Sequence, residues 1–186
     1  MKISSNNEWG KLRSIVIGTA TGANWPTMDP TFAINWQTTL FKEVDHPKGP
    51  VEQQVIDEAN EDLDELAKVL ESAGVKVYRP MTNRYTAQVG NTQWSTDQMY
   101  GYCPRDTHLV IGNNVIETPM SYRARQMEAD VLGHIRQEAI QDGTNWVAAP
   151  RPLLPVGTHY MADDKVMLLE NEPIFDAANC LRLNND

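Results

Sequence analysis

Hydrophobic residues recur with a period of 3.6 between Pro50 and Ala73, and this pattern predicts the longest helix of the chain. Pro50 suits the first turn of a helix, and Gly74 suits the position just after its end. The apolar face of the predicted helix consists of Val51, Val55, Ile56, Ala59, Leu63, Leu66, Ala67 and Leu70. The opposite face is acidic, which favours a solvated surface over a docking site for a basic partner.

Two short apolar runs flank this helix and predict strands at Leu12–Ile17 and Val75–Tyr78. Gly18 ends the first run and Pro80 follows the second, so a strand–helix–strand unit is complete by residue 80. Residues 18–49 show no sustained period and carry Gly, Pro, Asn and Thr among scattered aromatic residues. They predict a long loop with a helical turn at most.

The second half of the chain begins with a polar stretch, 82–101, for which we predict irregular structure. A hairpin follows, with strands at Leu109–Ile111 and Val115–Ile116 around a turn at Gly112–Asn114. A second amphipathic helix is predicted over 121–142. The last predicted elements are strands at Trp146–Ala149 and Val166–Leu169, separated by a linker at 150–160.

The order of these elements repeats: a strand or hairpin, one helix, and a strand that ends near a proline. The repeat predicts an α/β fold with units at about 1–80 and 95–150 and an incomplete third unit at 160–186.

Two aspartates occupy positions that favour binding. Asp106 precedes the predicted hairpin, and binding residues concentrate where loops join a scaffold. If Arg105 and Asp106 were strand residues, they would point to opposite faces, and one of them would face inward without a local partner. Asp176 lies between Phe175 and Ala177, an unusual place for an unpaired charge. The alternative is that both aspartates form turns or caps.

Composition excludes several functions. The 186 residues carry a formal net charge of -9, which argues against binding to a nucleic-acid backbone. The two cysteines have no Cys or His at metal-ligand spacing, so we expect no metal, no disulfide scaffold and no cofactor. There is no apolar run of about 18 residues, and the N-terminus lacks the apolar region of a secretory signal. We therefore expect a cytoplasmic protein that does not bind a membrane.

The chain resembles the amidinotransferases, the family of glycine amidinotransferase and the inosamine-phosphate amidinotransferases, along nearly its whole length and in the family's order. The resemblance is weaker in 19–49 and 82–94. It rests on Asn7–Leu12, Ile15–Gly18, Gly74–Pro80, Pro104–Asp106, Gly112–Met120, Arg123–Arg125, Trp146, Ala149–Pro152 and Glu172–Ala178.

This resemblance implies a pentein fold, an α/β propeller of ββαβ units, of which the chain would hold about two units and the start of a third. It implies transfer of the amidino group of L-arginine to an amine such as glycine, through a covalent amidino-cysteine. Asp106 matches the aspartate that binds the donor guanidinium, and Arg105 in the same motif is a candidate substrate-binding residue. Asp176 matches the aspartate that supports the catalytic histidine.

The family's nucleophilic cysteine and histidine base would lie beyond residue 186, so the resemblance implies no nucleophile in this chain and no turnover by it alone. Cys103 and Cys180 are expected to be structural thiols, and His108 a packed or surface residue. Activity would then require a complementing C-terminal part or a longer chain, and a homodimer is also possible. The alternatives are a non-catalytic half that binds arginine or a partner protein, and a hydrolase of the arginine deiminase type.

Overall fold

Helices and short strands alternate along the computed structural model, which describes residues 2–38, 46–82, 85, 87–155, 157, 159–163, 165–168 and 171–183. In these ranges the helices are α1 (Pro30–Thr38), α2 (Gln53–Ser72), α3 (Pro104–Thr107) and α4 (Gly133–Gln141). The strands are β1 (Ser14–Val16), β2 (Asn24–Trp25), β3 (Gly49–Pro50), β4 (Lys76–Tyr78), β5 (Gln88–Gly90), β6 (Ser95–Asp97), β7 (His108–Ile111), β8 (Asn114–Glu117), β9 (Asn145–Ala148), β10 (His159–Ala162) and β11 (Lys165–Leu168).

The predicted strand–helix–strand unit is confirmed. Strand β1 pairs with β4 in parallel, with Ser14 opposite Lys76, and α2 lies between the two strands in sequence. Gly18 follows β1 because the backbone of Tyr102 passes so close that a Cβ at this position would lie 1.8 Å from the Tyr102 carbonyl oxygen. The first unit is thereby packed against the segment that leads into α3.

Helix α2 begins later than its hydrophobic period predicts. Pro50 lies in β3, which pairs with β2, and the helix starts at Gln53. At the other end, Gly74 has a φ of 80°, which is the left-handed conformation expected just after a helix. The apolar stripe is covered only in part, since Ile56 and Ala67 are buried whereas others are exposed. The large hydrophobic side chains of α2 that are exposed are those of Val55, Leu66 and Val69.

The second unit has the order strand, strand, helix, strand. Strands β7 and β8 form the predicted hairpin, and β8 pairs in parallel with β9 after α4. The cluster of Tyr85, Val131, Leu132 and Ile135 forms the core, and Val16 and Tyr78 of the first unit pack against it. The two units therefore share one apolar core.

The predicted helix over 121–142 is wrong in its first half. Residues Arg123–Arg125 and Glu128–Leu132 form separate 3₁₀ turns, and the α-helix starts only at Gly133. Most side chains of both turns are buried, which a single continuous helix with one apolar face does not allow. Glycine is also a weak helix former, which favours a change of geometry at Gly133.

Two further loop predictions are corrected. The 82–101 stretch contains the antiparallel hairpin of β5 and β6, whose three-residue strands are too short to show an alternating pattern. The 18–49 stretch contains the nine-residue helix α1 together with β2. Residues 39–45 of that stretch and Leu169, the last residue of a predicted strand, lie outside the described residues. None of the helices in the described ranges combines the length and the apolar character needed to cross a membrane.

Candidate functional site

Asp106 lies in a one-turn helix that leads directly into strand β7. Pro104 occupies the first turn of α3, where the missing N–H of proline costs nothing, and the Asp106 N–H donates to the Cys103 carbonyl at 3.0 Å. The Asp106 carbonyl accepts from Thr118 Oγ1 at 2.9 Å, which ties the helix to the end of β8. The expectation that Arg105 and Asp106 point to opposite faces of a strand is therefore replaced by helical geometry.

Asp176 caps the 3₁₀ turn formed by Ala177–Asn179. Its Oδ1 atom accepts a hydrogen bond of 2.7 Å from the Ala178 N–H, so the capping alternative is correct for this oxygen. Burial raises the pKa of Asp176, and the negative charge of Asp106 raises it further, against the lowering effect of the Ala178 hydrogen bond. The capping role leaves the Oδ2 atom for other contacts.

Arg125 brings the two aspartates together. Its Nη1 atom lies 2.9 Å from Asp106 Oδ2 and 4.0 Å from Asp176 Oδ2. The side chains of the two aspartates are 20% and 26% exposed, whereas that of Arg125 is 4% exposed. The aspartates thus share one buried guanidinium and remain open to solvent on their other side.

The other edge of the Arg125 guanidinium is held by Glu128. Arg125 Nε donates to Glu128 Oε2 at 2.6 Å, and Nη2 donates to Oε1 at 2.8 Å, so the salt bridge is bidentate. The ring of Tyr100 lies 5.1 Å from the guanidinium carbon, at a distance typical of a cation–π contact. Glu128 is 3% exposed, so this pair is enclosed in the protein.

Burial and ion pairing shift the pKa values of Arg125 and Glu128 in opposite directions. Burial alone lowers the pKa of Arg125, but the hydrogen bonds and charge of Glu128 outweigh it and raise that pKa above its ordinary value. Burial raises the pKa of Glu128, against the lowering effect of Arg125. The geometry requires an ionised carboxylate, because both Glu128 oxygens accept N–H groups from the guanidinium.

Sequence reasoning did not place Arg125 or Glu128 in the site. One feature of the sequence pointed to Arg125: Arg123 and Arg125 lie near the start of the helix predicted over 121–142. The helix dipole disfavours cations at that end, so both arginines are expected to have partners elsewhere. Both arginines do have such partners. Arg123 donates to the Leu154 carbonyl through Nε at 3.2 Å and through Nη2 at 2.6 Å.

The remaining predicted residues lie near the aspartates but are not all joined to them. Arg105 is exposed on α3, and its positive charge lowers the pKa of Asp176 slightly against burial. Cys103, just before α3, is a free thiol whose pKa is raised by burial and by the charge of Asp106. Cys180 is also a free thiol.

His108 is a packed residue, as expected. Its Nδ1 atom lies 2.8 Å from Thr107 Oγ1, and its ring makes an edge contact with Trp146 at 5.5 Å between centroids. Burial lowers its pKa. Within the described ranges, no three His, Cys, Asp or Glu side chains are grouped so that they could hold a metal ion.

Comparison with known proteins supplies the context for this geometry. No protein-family model matches the chain. It is 36% identical over 186 residues to inosamine-phosphate amidinotransferase 1 of Streptomyces griseus, an alignment that covers 99% of this chain and 54% of that protein. It is 33% identical over 196 residues to the L-arginine:L-lysine amidinotransferase of Pseudomonas savastanoi pv. phaseolicola, covering 99% of this chain and 53% of that protein.

A solved structure of an inosamine-phosphate amidinotransferase from Streptomyces griseus superposes on the chain with a TM-score of 0.88 at 36% identity. The superposition covers 97% of this chain and 52% of that one. The chain thus spans about half the length of the curated relatives it matches.

Proposed function

We propose that this chain is the N-terminal part of a protein of the amidinotransferase family, and that its carboxylates form the site at which the guanidinium of L-arginine binds while its amidino group is transferred to an amine. The observation that carries the proposal is the approach of Asp106 and Asp176 to one guanidinium, that of Arg125. Carboxylates bind planar guanidinium groups through paired, charge-assisted hydrogen bonds.

The charge and exposure of the site suit a second guanidinium. Asp106, Asp176 and Glu128 supply three carboxylates around the buried Arg125 cation, and negative charge exceeds positive charge even when the exposed Arg105 is counted. Both aspartates retain solvent-facing surface, so a ligand can reach them without displacing Arg125. Asp106 is the proposed donor-binding residue, and Arg105, exposed beside it, is the proposed second contact to substrate.

Asp176 is proposed to orient a histidine base that later sequence supplies, and its negative charge adds to the attraction for the guanidinium that Asp106 binds. A carboxylate on the far nitrogen of an imidazole selects its tautomer and stabilises its cation. Asp176 Oδ1 is held by the Ala178 N–H, which fixes the orientation of the carboxylate.

Transfer would proceed through a cysteine that is also supplied by later sequence. Its thiolate attacks the amidino carbon Cζ, the bond from Cζ to the arginine Nε breaks, and the histidine donates a proton to this nitrogen as it departs as the side-chain amine of ornithine. An acceptor amine then attacks the same carbon, loses a proton and releases the thiolate. Cys103 does not suit this role, because burial and Asp106 raise its pKa. These 186 residues alone are therefore proposed not to turn over.

The proposed architecture is one pentein domain of which units 1–80 and 95–150 and the incomplete unit 160–186 form the N-terminal part. It is supported by the ββαβ order of β7, β8, α4 and β9, and by the parallel pairing of β1 with β4 around α2. The acceptor amine, glycine or another, is left open, since the two amidinotransferases compared above carry different acceptors in their names.

Titration of the purified chain with L-arginine by isothermal calorimetry tests the proposal. We expect saturable binding that Asp106→Asn weakens at least about tenfold, because the ion pair between the Asp106 carboxylate and the guanidinium of the ligand is lost. Citrulline, in which an uncharged ureido group replaces the guanidinium, is the matched ligand control and should not bind. Equal binding of citrulline and arginine, or no binding of either, would contradict it. With a complementing C-terminal part present, ornithine and a new guanidino compound indicate transfer, whereas citrulline and ammonia indicate hydrolysis.

A further inference from the structure

Glu128 is enclosed in the protein, and both of its carboxylate oxygens are hydrogen-bonded. Its two oxygens accept two N–H groups of Arg125 at 2.6 and 2.8 Å, and its side chain is 3% exposed. A buried carboxylate at this depth is costly unless it is paired. Packing alone does not explain a third carboxylate beside two aspartates of the same charge.

Glu128 offsets the positive charge of Arg125. An uncompensated guanidinium 2.9 Å from Asp106 and 4.0 Å from Asp176 would neutralise one of the two negative charges that a cationic ligand needs. Glu128 cancels the Arg125 charge while leaving its Nη1 atom directed at both aspartates. The pair then orders the aspartates without weakening their attraction for a cation.

We propose that Glu128 is a positioning residue: it anchors Arg125 and compensates its charge, so that Asp106 and Asp176 are held together but remain available to the guanidinium of a bound arginine. The part of this inference that concerns arginine rests on the proposed function. The part that concerns the electrostatics of the aspartates does not.

Titration of the Asp176 carboxyl by ¹³C NMR, without any ligand, tests the electrostatic part. In Glu128→Gln the uncompensated Arg125 pairs more strongly with the aspartates, and the pKa of Asp176 should fall below its value in the unchanged chain. The titratable and charged groups around Glu128 are Arg125, Asp106, Asp176, Tyr85, Tyr100 and Cys103. Asp176 also interacts with Arg105 and Tyr122, and none of these residues is substituted in Glu128→Gln.

The double variant Arg125→Gln/Glu128→Gln removes both charges of the pair and should shift the pKa of Asp176 in the opposite direction, upward, since the shared cation is gone. The double variant is also expected to fold when the single one does not, because replacing both members of a buried ion pair is tolerated better than removing one. A purely structural role predicts the same shift in both variants or none, and that result would overturn the inference.

Arginine affinity supplies the second readout. Glu128→Gln should raise the dissociation constant for arginine at least about tenfold with both aspartates intact, because Arg125 then competes with the ligand for them. Failure of the unchanged chain to bind arginine would overturn the proposed function and leave the Asp176 titration unaffected. Tight arginine binding by a folded Glu128→Gln variant would overturn the positioning role alone.

Discussion

Arg125 Nη1 lies 2.9 Å from Oδ2 of Asp106, so the aspartate expected to bind a substrate guanidinium already contacts one from its own chain. The contact uses one of the two carboxylate oxygens. It is a contact of the kind that we propose for the ligand, and Arg125 is the cation that both aspartates approach.

Removal of the Arg125 charge should destabilise the fold. Arg125→Met leaves Glu128 as a buried carboxylate without its partner, and we expect the free energy of unfolding to fall by about 3–5 kcal/mol. Urea denaturation monitored by circular dichroism measures the change. Arg151→Met is the matched control, since the side chains of Arg151 and Asp130 are 46% and 40% exposed and lie 4.0 Å apart, and it should cost less than about 1 kcal/mol. Equal losses in the two variants would contradict the buried-pair argument.

Arginine binding should weaken on acidification at a pH set by Asp176. The pKa of this carboxyl is raised, by burial first and by Asp106, so it takes up a proton at a higher pH than an ordinary aspartate. A protonated Asp176 attracts a guanidinium less, and affinity should therefore fall as the pH decreases through this range and recover above it. Calorimetric titrations between pH 4 and 8 measure the dependence.

Asp176→Asn supplies the control for this pH profile. The variant should bind arginine more weakly at pH 7 and lose the part of the pH dependence that the aspartate contributes. An unchanged profile in the variant would show that another group governs it.

The thiol of Cys103 should react slowly. Its pKa is raised by burial and by the charge of Asp106, so little thiolate is present at pH 7. In a Cys180→Ser background, alkylation by iodoacetamide, followed by mass spectrometry, should be slower than that of free cysteine. Asp106→Asn removes the nearby negative charge and should increase the rate. A Cys103 that reacts faster than free cysteine would reopen its candidacy as a nucleophile.

A side-chain hydrogen bond joins Trp146 of β9 to Glu117 of β8, the neighbouring strand. Trp146 Nε1 donates to Glu117 Oε1 at 2.7 Å, and Arg136 Nη1 donates to the same oxygen at 2.8 Å. Burial alone raises the pKa of Glu117, but these two donors outweigh it and lower that pKa. The carboxylate therefore contributes stability that is present above its unfolded pKa and is lost as the pH falls through its folded one.

Trp146→Phe should lower the free energy of unfolding by about 1–3 kcal/mol at pH 7, because it leaves a buried carboxylate short of one donor. Trp94→Phe is the control, since the Trp94 indole donates to the exposed Leu153 carbonyl, which water can satisfy instead. Thermal unfolding of both variants at pH 7 and pH 3 measures the difference. The Trp146 effect should shrink at the lower pH, and persistence of the full effect there would contradict the assignment to Glu117.

Local patterns in the sequence predicted much of the fold. The period of α2, its terminal Gly74 and the hairpin of β7 and β8 follow from residues close together in the chain, where backbone preference and hydrophobic spacing act directly. The same patterns missed the hairpin of β5 and β6, whose strands are too short to show a period. The broken helix after residue 121 was missed because side chains on several faces of that segment are buried at once.

Residues close together in the chain were enough to predict the strand–helix–strand order of the first unit and the hairpin of β7 and β8. They also marked Asp106 and Asp176 as charges in need of partners, through their apolar or rigid neighbours and the family resemblance. That both partners are one buried arginine, with Glu128 balancing its charge, emerges only in the folded chain. There α3, the 3₁₀ turns after β8 and the segment at Asp176 meet through long-range packing. No local period or propensity encodes which of their charges will come within reach of each other.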